Sequence, residues 1–287
     1  MTTRETDETT GTETTGHEWD GIKELNTPLP RWWLWTFYGT IIFAIGYVIA
    51  YPAIPLISSA TSGVLGYSSR AELDASLLEA KAAQGSTLEK LTATPVAEII
   101  EDEELARFAR AGGRSLYKVY CSQCHGTGAT GSTGYPNLND DEWIWGGSVD
   151  DIYTTIYHGA RHEADPDTRF NLMPGFGDGY LSTPQLNAVA AQVASLSGID
   201  GGAISEEGAT LYAENCAACH GERGEGMIEL GAPSLNDQVW LYEGSLESIK
   251  AQLVNPRHGV MPAWGDRLGE AAVKQLAVYV HGLGGGQ

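Results

Sequence analysis

The sequence predicts a mainly α protein, with one N-terminal transmembrane helix followed by two tandem helical domains. Three observations lead there. Residues 32–51, WWLWTFYGTIIFAIGYVIAY, run for 20 positions without a charge. The pentapeptide Cys121-Ser122-Gln123-Cys124-His125 returns 95 residues later as Cys216-Ala217-Ala218-Cys219-His220, and the two copies use all four cysteines of the chain. The residues around the two copies also repeat, and a length of 287 residues allows about two ordinary domains.

Residues 1–30 are expected to form a disordered and interfacial N-terminus. The first twenty are rich in Thr, Glu, Asp and Gly and bury too little apolar surface to offset their ordering entropy. From His17 to Pro30 the chain carries Trp19, Ile22 and Leu25 and ends in Pro28 and Pro30, which suits a segment turning into a membrane.

The anchor is expected over residues 31–56. Twenty helical residues span about 30 Å, the thickness of a bilayer core. Trp32, Trp33, Trp35 and Tyr38 cluster at one end and Tyr47 and Tyr51 at the other, as interfacial anchoring requires, and Pro52 and Pro55 follow. A cleaved signal peptide is the rival reading, with small residues at Ser58 to Ala60. It would need a long acidic leader and an apolar run beyond the usual 7 to 15 residues. A buried core helix is the other rival. Residues 57–104 are read as a spacer with one or two exposed helices, Ala- and Glu-rich and ending in the acidic run Glu101 to Glu104.

The first repeated domain is expected over 105–200 and the second over 201–287. Gly113, Leu116 and Tyr117 match Gly208, Leu211 and Tyr212. Pro136, Leu138, Asn139, Asp140 and Trp143 match Pro233, Leu235, Asn236, Asp237 and Trp240; Gly147, Ser148 and Ile152 match Gly244, Ser245 and Ile249. Each domain closes with an apolar stripe at helical spacing, Leu186, Val189, Val193 and Leu196 in one and Val273, Leu276 and Val280 in the other. Each such helix is expected to pack on the helix leading into its own Cys-x-x-Cys-His.

Cys-x-x-Cys-His is the attachment signature of c-type haem. On one helical turn the two thiols can bond the vinyl groups while the histidine reaches the iron. A zinc knuckle would need four closed ligands, and a dithiol oxidoreductase has no use for a histidine after the second cysteine in both copies. Two covalent haem c groups are therefore expected, at Cys121 and Cys124 with His125, and at Cys216 and Cys219 with His220. Thioether attachment is carried out on the outer side of energy-transducing membranes. That orients the anchor with its N-terminus in the cytoplasm and the haem domains in the periplasm.

Met173 in NLMPGF and Met261 in GVMPAW stand 48 and 41 residues after the two histidines. A thioether suits low-spin haem iron, and a proline after each Met stiffens the loop that presents it. Both are expected as axial ligands; Met227 has no matching partner. The rivals are His158, His162 and His258. Arg161 and Arg257, matched beside His162 and His258, are candidate propionate partners. Trp143 and Trp240 wall the haems or fill the cores, and His281 is expected to be exposed.

With 37 acidic against 17 basic residues the net charge is -20, which disfavours nucleic acid. It suits either docking of a basic protein or solubility in high salt.

The order of CxxCH helix, Met loop and closing helix resembles a class I cytochrome c domain, here in tandem. Together with the run GHEWDGIKELNTPLPRWWLWTFYGT, the single span and the acidic spacer, it resembles the membrane-anchored dihaem cytochrome c subunit, subunit III, of cbb3-type cytochrome c oxidase. The resemblance implies a single-pass protein of the bacterial inner membrane that takes electrons from cytochrome c or the bc1 complex. It passes them to a monohaem cytochrome c subunit and the catalytic haem-copper subunit, which reduces oxygen and pumps protons. The chain by itself is then not an enzyme. The resemblance further allows the methionines to be exchanged, Met261 capping the haem at Cys121 and Met173 the other, while both loop lengths permit the ordinary pairing, so the sequence leaves the two pairings open. The alternative is a free-standing anchored dihaem shuttle; a dihaem peroxidase, a dehydrogenase cytochrome domain and a haem-based sensor belong to other classes.

Overall fold

The structure, a computed structural model, describes residues 5–286. Residues 1–4 of the expected disordered tail and Gln287 of the second expected domain lie outside them. The chain divides after Ala83 into two compact units.

The first unit holds a hairpin where disorder is expected. β1 (Thr14–Trp19) pairs antiparallel with β2 (Ile22–Leu25), Trp19 opposite Ile22. Between them Asp20 and Gly21 have φ of 51° and 85°, the pair of positive values that a two-residue type I′ turn needs and Asp-Gly supplies. The polar composition shows instead as exposure, with Thr14 the buried residue of the pair. Next, α1 (Arg31–Ala50) has a mean hydropathy of 1.6 and buries none of its residues. It is long and apolar enough to cross a membrane, and it ends just before Pro52, inside the expected 31–56. The chain then folds back on its C-terminus. The N–H groups of Val64 and Leu65 donate to the carbonyls of Ile49 and Ala50 at 2.9 and 3.1 Å, two of the four a helix end leaves open.

α2 (Ser69–Ala93) is exposed along nearly its whole length, as the spacer reading expects. From Leu91 onward that reading is corrected. α3 (Val96–Glu101) turns Val96 and Ile99 inward, and with Leu91 they join the first core of the second unit at 4 % exposure or less. The charges of this stretch, Glu98 and Glu101, take the outer positions, so its composition looks solvated while its inner edge is apolar. Lys274 fixes the junction by donating to the carbonyls of Thr92 and Thr94 at 2.6 and 2.9 Å.

The rest of the second unit is helical. α4 (Glu103–Tyr120) leads into α5 (Ser122–His125), followed by α6 (Val149–His158) and α7 (Thr183–Leu196). The repeat supplies α8 (Glu206–Asn215), α9 (Ala217–His220), α10 (Leu246–Val254), α11 (Gly265–Leu268) and α12 (Glu270–His281). Repeated residues take repeated jobs. Ser148 and Ser245 cap α6 and α10, accepting from the N–H of Asp151 and Ser248 at 3.1 and 3.2 Å, and Ile152 and Ile249 are buried one turn on.

The closing helices correct the expected packing of each on the CxxCH helix of its own repeat. α12 packs on α4 and α6, and α7 packs on α8 and α10. One core joins Leu105, Tyr117, Ile152 and Ile156 to Val273, Leu276 and Val280; the other joins Phe176, Val189 and Val193 to Leu211, Tyr212 and Ile249. Each lobe thus takes its CxxCH from one repeat and its closing helix from the other. Periodicity marks an apolar stripe but not which of two similar partners it meets.

The matched glycines mark the two helix crossings. A Cβ on Gly113 would collide with the backbone carbonyl of Gln275 in α12, and one on Gly208 would lie 2.5 Å from that of Ala188 in α7. Gly113→Ala should destabilise the first lobe by about 1–3 kcal/mol, read as a lower urea midpoint in helical circular dichroism. Gly85→Ala, in open space on α2, should leave that midpoint where it is or raise it. Equal midpoints for both variants would contradict the close crossing.

Candidate functional site

In each lobe the CxxCH segment is one helical turn that follows a longer helix. Cys121 ends α4, and its carbonyl accepts from the N–H groups of Cys124 and His125 at 3.1 and 3.0 Å. The second copy repeats this, Cys216 accepting from Cys219 and His220 at 3.1 and 2.9 Å. Gly126 and Gly221, at φ of 81° and 80°, turn the chain away after the histidines. Tyr117 and Tyr212 lock that exit, their hydroxyls donating to the carbonyls of Gly126 and Gly221 at 2.9 and 2.8 Å. Burial pushes both phenols up to about 12, so they remain donors.

The histidines are oriented by a contact that the sequence reading missed. His125 Nδ1 lies 2.9 Å from the carbonyl of Pro136, and His220 Nδ1 lies 2.9 Å from that of Pro233. A carbonyl only accepts, so Nδ1 carries the proton and Nε2 keeps the lone pair a metal needs. Burial lowers both imidazole pKa values, which keeps the rings neutral. The signal was present in the sequence as a proline repeated 11 and 13 residues after the histidines. All four cysteines are free thiols, and burial, with the neighbouring cysteine second, pushes Cys121 and Cys216 up to about 11.

Met173 lines a cavity together with Cys216, Cys219 and His220. Met261 and Cys121 both pack against the first core. Sequence spacing leaves either pairing open; the fold places Met173 in the cavity of the second site and packs Met261 against the first core. The crossing of the two chains is visible at Ala160, whose N–H and carbonyl exchange hydrogen bonds with the carbonyl and N–H of Met261, both at 3.0 Å.

Among the rivals, His158 turns Nδ1 to the Asp165 carboxylate at 3.1 Å. The backbone N–H of His162 donates to Thr168. His258 lines the cavity of the second site. Met227 is paired through its backbone with Ala232 and is not among the lining residues of that cavity. His281 is half-buried rather than exposed.

The donor set fits haem c in both lobes: two free thiols and a lone-pair imidazole on one turn, with a thioether brought to the same lobe. The second cavity adds an unpartnered polar atom. Trp240 lines it, and its buried Nε1–H has no acceptor among the described residues. Its counterpart Trp143 donates instead to the carbonyl of Gly285. Both rings lie over a matched glycine, Gly147 and Gly244, where a Cβ would come within 2.5 and 2.7 Å of the indole. The arginines do not divide between the sites either: Arg161, from the first repeat, and Arg257 both line the second cavity.

Comparison with known proteins gives matches to the whole of this arrangement. Residues 11–58 match the family described as N-terminal domain of cytochrome oxidase-cbb3, FixP. Residues 108–192 and 203–280 match the family described as cytochrome C oxidase, cbb3-type, subunit III. The chain is 54% identical over 282 residues to the cbb3-type cytochrome c oxidase subunit FixP of Sinorhizobium medicae, covering 98% of this chain and 97% of the relative. It is 53% identical to the protein of the same name from Rhizobium meliloti, with the same coverage. With subunit CcoP of Cereibacter sphaeroides it shares 48% identity, over 96% of this chain and 95% of the relative.

Proposed function

Because this chain belongs to the cbb3-type cytochrome c oxidase subunit III family, we propose that it relays electrons through two c-type haems held in reciprocally assembled lobes on one membrane anchor. It is an electron-transfer subunit of a cbb3-type oxidase. Oxygen reduction and proton pumping are activities of the complex.

The observation that carries the reading is the doubled turn of two free thiols and a Pro-oriented histidine, with a Met-Pro loop delivered to each. Haem c, when bound, supplies a one-electron iron couple. Cys121 and Cys124 would hold one group covalently and Cys216 and Cys219 the other. His125 and His220 present Nε2, and the Pro136 and Pro233 carbonyls keep the proton on Nδ1. Met261 would serve with His125, and Met173 with His220, each offering a soft thioether sulfur to the iron. Pro174 and Pro262 stiffen the loops that present the sulfurs.

α1 anchors the chain in the bacterial inner membrane, with the N-terminal hairpin in the cytoplasm and the haem lobes in the periplasm, where thioether attachment takes place. The neighbours are a monohaem cytochrome c subunit and the catalytic haem-copper subunit, and the donor is cytochrome c or the bc1 complex. Native electrophoresis of gently solubilised membranes tests this. This 30.7 kDa chain should stain for covalent haem in the band that consumes oxygen and contains b-type haem. Migration as a small species without oxidase activity, in several mild detergents, would favour the free-standing shuttle.

A further inference from the structure

Resting on the haem ligation proposed above, we infer that Arg161 sets the potential of the haem at Cys216 and Cys219 and makes it the higher-potential member of the pair. Arg161 lies in the first repeat, directly after α6, yet its side chain lines the second site's cavity together with Met173 and His220. Its backbone is fixed at a φ of 54°, in the left-handed region, between two paired strands of chain. Its N–H donates to the Arg169 carbonyl at 2.7 Å, and the preceding Ala160 exchanges hydrogen bonds with Met261. The side chain is held at one edge only: Nε donates to the Gly259 carbonyl at 2.6 Å, and Nη1 lies 3.5 Å from that of Asn171.

A guanidinium has five N–H donors and remains protonated. Among the described residues no carboxylate pairs with Arg161, and burial disfavours its charge. An unpaired cation half-buried beside a haem cavity is balanced by an anion of that haem, and a propionate has the geometry to accept two of its free donors. Arg257 lines the same cavity but is exposed, its guanidinium 4.0 Å over Tyr242 and its Nε donating to Gln252 Oε1 at 2.9 Å. Trp240 offers a third donor, the buried Nε1–H that has no acceptor.

In the first lobe the matched indole and two of the arginines are engaged by protein groups. Trp143 gives its N–H to Gly285, Arg169 is paired with Asp151 at 2.9 Å, and Arg267 lies exposed over Trp264. Positive charge beside a haem favours its reduced form, which carries one positive charge fewer. The half-buried Arg161, without a carboxylate among the described residues, therefore separates two haems whose axial ligands are otherwise alike.

The test is potentiometric titration of the purified full-length chain with both haems attached, followed in the visible spectrum. Met173→His marks the second haem, because a bis-histidine iron titrates far lower than a His/Met one. It should displace the higher-potential wave. Arg161→Gln should shift that same wave downward by about tenfold in the redox equilibrium, ~59 mV for one electron, and leave the other wave in place. Arg161→Lys should keep most of the potential, and the methionine-to-iron charge-transfer band should persist in both arginine variants. If Met173→His displaces the lower wave, if Arg161→Gln moves neither wave or both equally, or if Arg161→Lys behaves as Arg161→Gln does, the inference is overturned. If Met173→His moves no wave, the ligand assignment beneath it fails instead.

Discussion

Ending the chain at Trp264 should destroy the lobe that carries Cys121 and leave standing the lobe that carries Cys216, although the deleted residues follow the second CxxCH in sequence. The deletion removes α12, whose Val273, Leu276, Ala277, Val278 and Val280 are buried at 4 % exposure or less in the first core. Large aliphatic side chains contribute about 1.5–3 kcal/mol each when fully buried. Four of them and an alanine approach the whole stability of an ordinary domain, about 5–15 kcal/mol. Lys274 goes too, and with it the hydrogen bonds to Thr92 and Thr94 that hold the end of α2. The second core uses α7, α8 and α10 and loses nothing. Limited proteolysis followed by haem staining of the fragments reads the outcome. Protease should cut rapidly between Glu103 and His158 and spare the fragment carrying Cys216. Protection of the first lobe with loss of the second is the result for lobes closed by their own helices, and would contradict the fold.

Much of this architecture was legible in the residues, because the signals were short-range. The charge-free run gave α1 to within a residue or two at each end, and Pro52 marked its stop. Cys-x-x-Cys-His is a single turn and carries its own chemistry. The repeat also located Ser148 and Ser245, whose caps need only the next three residues. The hairpin was written in Asp20-Gly21 as well, but a composition count over twenty residues averages such a dipeptide away.

The parts that were not legible depend on long-range choice. Leu186, Val189 and Val193 in α7 and Val273, Leu276 and Val280 in α12 are two similar stripes, and the two CxxCH helices offer similar faces, each with a glycine at the crossing. Local free energies barely separate one pairing from the other. The segment between α6 and α7, residues 159–182, is long enough for either route. The alternation of Glu98 and Glu101 with Val96 and Ile99 hid a buried edge inside an acidic stretch for a related reason: six residues are too few for a periodicity to stand out. Arg161 was recognised as a cation seeking a propionate, but its choice of haem follows from the exchange and was out of reach.

If each iron is closed by the methionine of the other repeat, as proposed, removing one methionine should change the haem held by the other repeat's cysteines. Two single-haem chains decide it, one with Cys216 and Cys219 replaced by alanine and one with Cys121 and Cys124 replaced, so that loss of either lobe still leaves one answer. In each, the near-infrared methionine-to-iron charge-transfer band of the oxidised protein is recorded alone and with Met173→His or Met261→His added. The chain keeping Cys121 and Cys124 should show the band, lose it completely with Met261→His and keep it with Met173→His. The chain keeping Cys216 and Cys219 should do the reverse. Loss of the band at Cys121 and Cys124 on Met173→His, with Met261→His silent, would contradict the exchange.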